Sequence, residues 1–180
     1  MSNVRYLHVR SAPGCDAIGR FFADAGLPSD DILVGSRGSG PFQLRGVVEA
    51  ATVEDVVVGA AYSTAACGDG LAIALEHGAA VAREFVSRVQ WLRCLYVNPR
   101  FQRLGIGSTL LERQIITLRT THAGPSTLAG AVPPLTARFW AKSGFTVVSG
   151  RDSLPMRLPA AGHTVLMPAQ TDRNLVAIEI

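Results

Sequence analysis

The sequence predicts a mixed α/β fold in one domain. Segments with the β-branched character of strands alternate along the chain with segments whose apolar residues recur at helical spacing. The 180 residues suffice for one domain with a sizeable core. No internal repeat and no linker-like stretch divides the chain, so residues 1–180 are expected to form a single domain.

The composition is that of a soluble globular protein, with 48% hydrophobic and 17% charged residues. No apolar run is long enough for a transmembrane helix, and the N-terminus lacks the apolar run of a signal peptide. The cytoplasm is therefore the expected location. The net charge of +3 is scattered, which argues against nucleic-acid binding but would suit an anionic cofactor.

The three cysteines, Cys15, Cys67 and Cys94, are widely spaced and belong to no Cys/His cluster. Such a pattern gives no reason to expect zinc or another metal. We interpret all three as free thiols in a reducing compartment. Cys94 is expected to be a core residue because no partner base that would make it a nucleophile is evident.

The N-terminal half begins with a strand at residues 4–9 and a helix at 15–25 that Gly26 can end. Residues 35–41 form a turn-rich loop. Two β-branched runs at 46–52 and 53–62 suggest a hairpin. One long helix is expected at 71–88, where it would roof an acceptor site, contact a second subunit or simply pack on the sheet.

The C-terminal half opens with a strand at 89–97 that ends at Asn98-Pro99, followed by a helix from about Ser108 to His122. The remaining predicted elements are a strand at 127–132, a helix from Thr136 to Lys142 stopped by Gly144, and strands at 145–148 and 163–167. Residues 174–180 are expected to form either an extra strand or a partly ordered tail, and the tail from 171 could pair with a partner subunit in a homodimer.

The most informative segment is the turn that joins the strand ending at Val97 to the following helix. Gly105 and Gly107 allow a sharp bend and the close approach of a ligand. A helix start offers unpaired N–H groups and positive dipole character, which favour phosphate, and Arg100 and Arg103 could add charge-assisted contacts. The segment lacks the lysine of a P-loop and the third glycine of a dinucleotide-binding fingerprint. A turn without any ligand remains the competing interpretation.

The complete string Leu95-Tyr96-Val97-Asn98-Pro99 through Gln102, Gly105 and Gly107 resembles the central motif of the GNAT superfamily of N-acetyltransferases. The resemblance implies that backbone groups of Leu95, Tyr96 and Val97 hold the pantetheine arm of acetyl-CoA. It also implies that the CoA pyrophosphate is held by backbone amides of Arg103, Leu104, Gly105, Ile106, Gly107 and Ser108.

The same resemblance implies a mixed, mostly antiparallel twisted sheet flanked by helices, with central strands that splay apart. The implied reaction is direct transfer of an acetyl group from acetyl-CoA to an amine, without a metal and without a covalent enzyme intermediate. The acceptor could be a small molecule or a peptide. A backbone N–H in the splayed strand, such as that of Val97, would stabilise the oxyanion.

Residues 136–145 resemble the family's second motif, with Gly144 and Phe145 in place. Two residues depart from it. Trp140 stands where the family usually has a tyrosine that protonates the leaving thiolate, and an indole N–H cannot do this. Pro133 stands where an asparagine usually contacts the cofactor. Trp140 could instead stack along the cofactor or serve only in packing.

Few side chains are candidates for moving protons. Glu49 lies on a predicted central strand and is a candidate base, unless it faces solvent. Tyr96 is the hydroxyl nearest to the cofactor strand; it should face the side of the sheet opposite to its neighbours in the chain. Glu84, on a helix face that is expected to be solvated, and His77 and His122, near helix ends, are weaker candidates.

Two further interpretations stay open. The missing tyrosine and asparagine would suit an acyl-CoA-binding regulatory module that is catalytically impaired. Alternatively, the chain could acetylate a protein or peptide instead of a small amine, which an open acceptor groove would favour.

Overall fold

The computed structural model describes residues 3–27, 46–121 and 126–180. Seven strands form a mostly antiparallel sheet flanked by helices, which confirms the predicted fold class. The predicted loop at residues 35–41 and His122 lie outside the described residues. In the described part the elements follow in this order: β1 (Arg5–His8), α1 (Ala12–Asp24), β2 (Val47–Val53), β3 (Val56–Ala65), α2 (Cys67–His77), α3 (Ala79–Arg88), β4 (Val89–Val97), α4 (Ile106–Thr121), β5 (Thr127–Val132), α5 (Ala137–Lys142), β6 (Thr146–Val148), β7 (Leu154–Leu158), β8 (His163–Met167) and β9 (Asn174–Glu179).

The chain forms two compact units, which are described separately. Unit 1 comprises Met1–Thr64 and Leu92–Ala123, and unit 2 comprises Ala65–Trp91 and Gly124–Ile180. In unit 1, β2 pairs antiparallel with both β1 and β3. The predicted hairpin of β2 and β3 is confirmed, and its turn residues Glu54 and Asp55 have φ of 51° and 63°. This left-handed pair matches the twist of a tight hairpin although neither residue is glycine.

The two faces of the unit 1 strands bury different side chains. On one face, Cys15, Ile18 and Phe22 of α1 pack with residues of β2, β3 and β4. On the other face, Ile106 and Leu110 of α4 pack with a second set of strand residues. Side chains therefore alternate between the α1 face and the α4 face, except where a register shift between Ala51 and Thr52 interrupts the pairing of β2 with β3.

Helix α1 begins three residues earlier than predicted. The Ser11 hydroxyl caps it by accepting a hydrogen bond from the Gly14 N–H at 3.3 Å. Pro13 lies in the first turn, where its missing N–H costs nothing, so it starts the helix as well as ending the preceding extended segment.

In unit 2, β9 pairs antiparallel with β5 on one side and with β6 on the other. Leu175 and Val176 at its centre are fully buried. Residues 174–179 therefore form the extra strand that was one of the two predicted alternatives for this segment. Flanking it, β7 and β8 form an antiparallel hairpin.

The long helix predicted at residues 71–88 is two helices. Gly78 separates α2 from α3 with φ of +88°, a conformation in which no right-handed helix can continue. Phe85, Val81 and Ala82 of α3 are buried among residues of β5, β7 and β8.

None of the helices in the described ranges has the length and apolar character needed to cross a membrane.

Strand β7 was not predicted. Its residues alternate strictly between buried and exposed, with Leu154, Met156 and Leu158 buried. Pro155 occupies an exposed position of this strand and weakened the sequence signal, because proline removes a ladder donor.

Candidate functional site

The turn that follows β4 is held by a short series of hydrogen bonds. The Asn98 N–H donates to the Val58 carbonyl of β3 at 2.9 Å, and the Asn98 side-chain oxygen accepts from the Arg100 N–H at 3.1 Å. The Gln102 side chain then returns to the strand, where its Nε2 donates to the Val97 carbonyl at 2.9 Å. Gln102 therefore fixes the exit of the chain from β4.

The approach to α4 uses the left-handed backbone conformation twice. Arg103 has φ of +63° and Gly105 has φ of +80°. The Gly105 carbonyl accepts a hydrogen bond from the Thr109 N–H at 3.0 Å, which closes the first helical turn. The sequence indicated the role of Gly105, but Arg103 adopts a conformation that non-glycine residues rarely adopt.

The start of α4 has the chemistry of an anion site. Its first N–H groups, those of Ile106, Gly107 and Ser108, have no acceptor within the helix and carry the positive end of the helix dipole. Arg100 and Arg103 are exposed, and neither forms an ion pair with any described residue. The residues present therefore fit a bound pyrophosphate.

A glycine on β3 lets this helix start lie close to the strands of unit 1. A Cβ atom at Gly59 would lie 3.2 Å from Ile106 Cγ2, 3.2 Å from Leu110 Cδ1 and 3.3 Å from Val97 Cγ2. These distances are shorter than ordinary van der Waals contact, so Gly59 permits the approach that places the turn.

The three residues of β4 that were predicted to hold pantetheine alternate between the faces, as expected. Leu95 and Val97 pack on the α4 face. Tyr96 lies on the α1 face, with its ring centroid 5.4 Å from that of Phe21. The Tyr96 hydroxyl makes no hydrogen bond to the described residues.

Glu49 lies on the opposite face from Tyr96 and does not face solvent. Its side chain is fully buried, and three donors surround its carboxylate. His8 Nδ1 lies 2.8 Å from Oε1, the Thr117 hydroxyl donates to the same oxygen at 2.8 Å, and Arg113 Nε donates to Oε2 at 2.9 Å. The structure thus does not bring Glu49 and Tyr96 together. Arg113 and Thr117 are spaced i, i+4 on α4, so both side chains lie on one face of the helix and reach the same carboxylate.

In unit 2, Trp140 is a packed residue of α5 with 4% of its surface exposed. Its indole N–H donates to the Thr136 hydroxyl at 3.1 Å. Phe139 and Phe145 pack edge-on against it, with ring centroids 5.1 and 5.2 Å away. Gly144 ends the helix with φ of +87°, as predicted.

Glu84 is not on a solvated helix face, as the sequence suggested. Its side chain is only 9% exposed, and its two oxygens accept hydrogen bonds from the Ala160 and Ala161 N–H groups at 2.9 and 2.6 Å. Arg88 pairs with it at 2.9 Å. The carboxylate holds the turn between β7 and β8.

His77 lies at the end of α2, with its ring edge-on to that of His163.

Cys15 and Cys94 are buried, and neither forms a disulfide with another described residue, as predicted. Burial, with a smaller contribution from neighbouring Asp16, raises the pKa of the Cys15 thiol above its ordinary value. Within the described ranges, no three His, Cys, Asp or Glu side chains are grouped so that they could hold a metal ion.

Comparison of the sequence with protein-family models gives no match, and comparison with curated proteins gives none either. Comparison of the structure gives matches over nearly the whole chain. An acetyltransferase of the GNAT family from Streptococcus pneumoniae matches with a TM-score of 0.62 and 14% identity, covering 99% of this chain and 100% of that chain.

Two further matches are proteins whose acceptors are named. The ribosomal-protein-S18-alanine N-acetyltransferase from Escherichia coli has a TM-score of 0.57 and 18% identity, over 100% of this chain and 94% of that one. Diaminobutyrate acetyltransferase from Paenibacillus lautus, in complex with its substrate and coenzyme A, has a TM-score of 0.57 and 13% identity, over 99% and 95%. The fold of this chain is therefore similar to that of the GNAT acetyltransferases.

Proposed function

With this fold as the starting point, we propose that residues 1–180 form one acetyl-CoA-dependent N-acetyltransferase domain that acts by direct attack of an amine. The observation that carries the proposal is the cationic turn between β4 and α4, with its unpaired helical N–H groups and the free Arg100 and Arg103. Matches that span both this chain and whole acetyltransferases support the assignment of one domain.

In this proposal the backbone amides from Arg103 to Ser108 bind the CoA pyrophosphate. Gln102 keeps the turn in place through its bond to the Val97 carbonyl. The backbone groups of Leu95, Tyr96 and Val97 would bind the pantetheine arm, and the Val97 carbonyl retains a second lone pair beside its bond from Gln102. Acetyl-CoA would supply an activated thioester whose thiolate is a tolerable leaving group, since thiols have pKa values near 8.5.

The amine must be neutral to attack, and alkyl amines have pKa values near 10.4. Glu49 is poorly suited as the base, because His8, Arg113 and Thr117 already occupy its carboxylate. We propose that Glu49 stabilises unit 1 and that a water chain removes the proton. Tyr96, whose hydroxyl is free among the described residues, is the candidate acid for the thiolate.

We place the reaction in the cytoplasm, a reducing compartment, because Cys15 and Cys94 form no disulfide within the described part of the chain. A second candidate function is a CoA-binding module without turnover. The observation that favours it is the engagement of Trp140, whose only donor is already bonded to Thr136. The residue at this position therefore offers no proton to a thiolate.

Isothermal titration of the purified chain with acetyl-CoA and with CoA tests the proposal. We expect both to bind and Gly107→Glu to abolish binding. Ser108→Glu is the sharper variant, because a carboxylate in the first turn favours the helix yet repels phosphate. Ser153→Glu, an exposed position in unit 2 with the same charge change, should bind like the unaltered chain.

Absence of binding to the folded chain would refute the cofactor site. Binding that Ser108→Glu leaves intact would show that the phosphates lie elsewhere. Where binding is found, release of free thiol from acetyl-CoA in the presence of a panel of amines separates the two functions. Turnover with any amine identifies an enzyme, and saturating binding without turnover identifies the binding module.

A further inference from the structure

Unit 2 contains an open cavity of about 380 Å³ that no step of the proposed acetyl transfer uses. Strands β5, β6 and β9 form one wall, and β7 of the neighbouring hairpin forms the other. The volume falls within the range of small-molecule sites, about 300–1,000 Å³. The apolar residues that line it include Leu154, Met156 and Ala177.

Four polar side chains line the same cavity, namely those of Thr127, Thr146, Arg157 and Glu179. Thr127 and Glu179 are register partners on β5 and β9, so their side chains stand next to each other on one face. Arg157 comes from β7. None of the four forms a side-chain hydrogen bond or an ion pair with any described residue. The cavity therefore offers one free cation, one free anion and two hydroxyls.

We propose that this cavity binds a small zwitterion with an apolar body, of the class of an apolar α-amino acid or a dipeptide. The guanidinium of Arg157 would bind its carboxylate in the bidentate manner that arginine favours. The carboxylate of Glu179 and the Thr127 hydroxyl would bind its ammonium group. The apolar part would contact Ala177 and Ile178, which are partly exposed residues of β9 that line the cavity. The site is independent of CoA, so its test does not depend on the proposed transferase activity.

The test is a titration of the methyl-labelled chain with L-methionine and with the dipeptide Met-Ala, followed by NMR signals of Met156 and Ile178, which line the cavity. We expect saturable shifts with one or both ligands. Arg157→Gln and Glu179→Gln should each weaken binding and raise the dissociation constant about tenfold to a hundredfold. Arg151→Gln, an exposed arginine outside the cavity, is the matched control and should change nothing.

Two analogues of methionine test which residue of the cavity binds which charged group of the ligand. L-methionine methyl ester lacks the carboxylate, and N-acetyl-L-methionine lacks the ammonium group. The ester should bind Arg157→Gln no more weakly than it binds the unaltered chain, and the acetylated analogue should behave likewise with Glu179→Gln. Saturation by only one of the two zwitterions would identify that one as the ligand class. The proposal is overturned if neither zwitterion shifts these signals, or if the two variants bind as tightly as the unaltered chain.

Discussion

Glu49 on β2 accepts a hydrogen bond from Arg113 on α4 at 2.9 Å, and the Glu49 side chain is fully buried. Arg113→Met would leave this carboxylate with one charged donor fewer, at a position that is not exposed to solvent. We expect the free energy of unfolding to fall by about 1–3 kcal/mol. Urea denaturation followed by circular dichroism measures it.

The control for this prediction is Arg119→Met, an exposed arginine on the same helix. It should change stability by less than about 0.5 kcal/mol, as surface substitutions usually do. An equal loss of stability in the two variants would show that the Glu49–Arg113 contact contributes nothing specific.

Arg103 combines a positive charge with a left-handed backbone, and two substitutions separate these properties. Arg103→Ala and Arg103→Gly both remove the charge, so both should weaken CoA binding to a similar extent. Only glycine relieves the conformation at φ of +63°, so Arg103→Gly should be more stable than Arg103→Ala by about 1 kcal/mol. Titration calorimetry and thermal unfolding measure the two effects. Unchanged CoA affinity in both variants would remove Arg103 from the site.

Glu84 should be structural. Glu84→Ala leaves the Ala160 and Ala161 N–H groups without their acceptors and should cost about 2–3 kcal/mol. Hydrogen exchange at these two amides should accelerate more than exchange elsewhere in unit 2. Glu76→Ala, whose side chain is 76% exposed, is the control and should leave both quantities unchanged. Slow exchange at both amides in Glu84→Ala would contradict the contact.

Trp140→Phe distinguishes a packing role of Trp140 from direct contact with the cofactor. The variant loses the bond to Thr136 and leaves a void, which should cost about 1–3 kcal/mol. The dissociation constant for CoA should not change, because the indole is buried and its donor is already bonded. A variant of unaltered stability that bound CoA at least about tenfold more weakly would instead place the indole against the cofactor.

Cys15 should make stability fall at alkaline pH. Its pKa is raised in the folded chain, so above the ordinary thiol pKa, near 9.0, the unfolded chain loses this proton while the folded chain retains it. The contribution is complete below that pH and is lost as the pH rises towards the folded pKa. Unfolding measured from pH 7 to 10 should show a shallower alkaline decline in Cys15→Ala. Equal slopes would contradict the assignment.

Local signals in the sequence were sufficient to predict where β4 ends and where α5 stops. Strand β4 has the predicted bounds, because the predicted strand ends at Asn98-Pro99 and nothing else competes for that boundary. Gly144 stops α5 for the reason expected from its lack of a side chain. The fold class followed from the order of such elements together with the resemblance to a family.

The errors concern residues whose environment is set by distant parts of the chain. Glu84 was expected on a solvated helix face, and a solvent-facing position was the alternative to a base role for Glu49, because an isolated carboxylate is costly to bury. Their donors lie far along the chain, Arg113 for Glu49 and the Ala160 and Ala161 amides for Glu84, and no local pattern joins them. The break in the helix at Gly78 was not predicted, because a single glycine within a helical pattern is usually tolerated and does not end the helix.

The central position of β9 also has a consequence for how the chain folds during synthesis. Strands β5 and β6 leave the ribosome first, but the strand that pairs with both is made after them. Until residues 174–179 emerge, neither strand has the neighbour that β9 provides, and both present unpaired edges to the cell. Unit 2 therefore completes its sheet only after residues 174–179 have been made, and a nascent chain stalled before this point should be a substrate for chaperones.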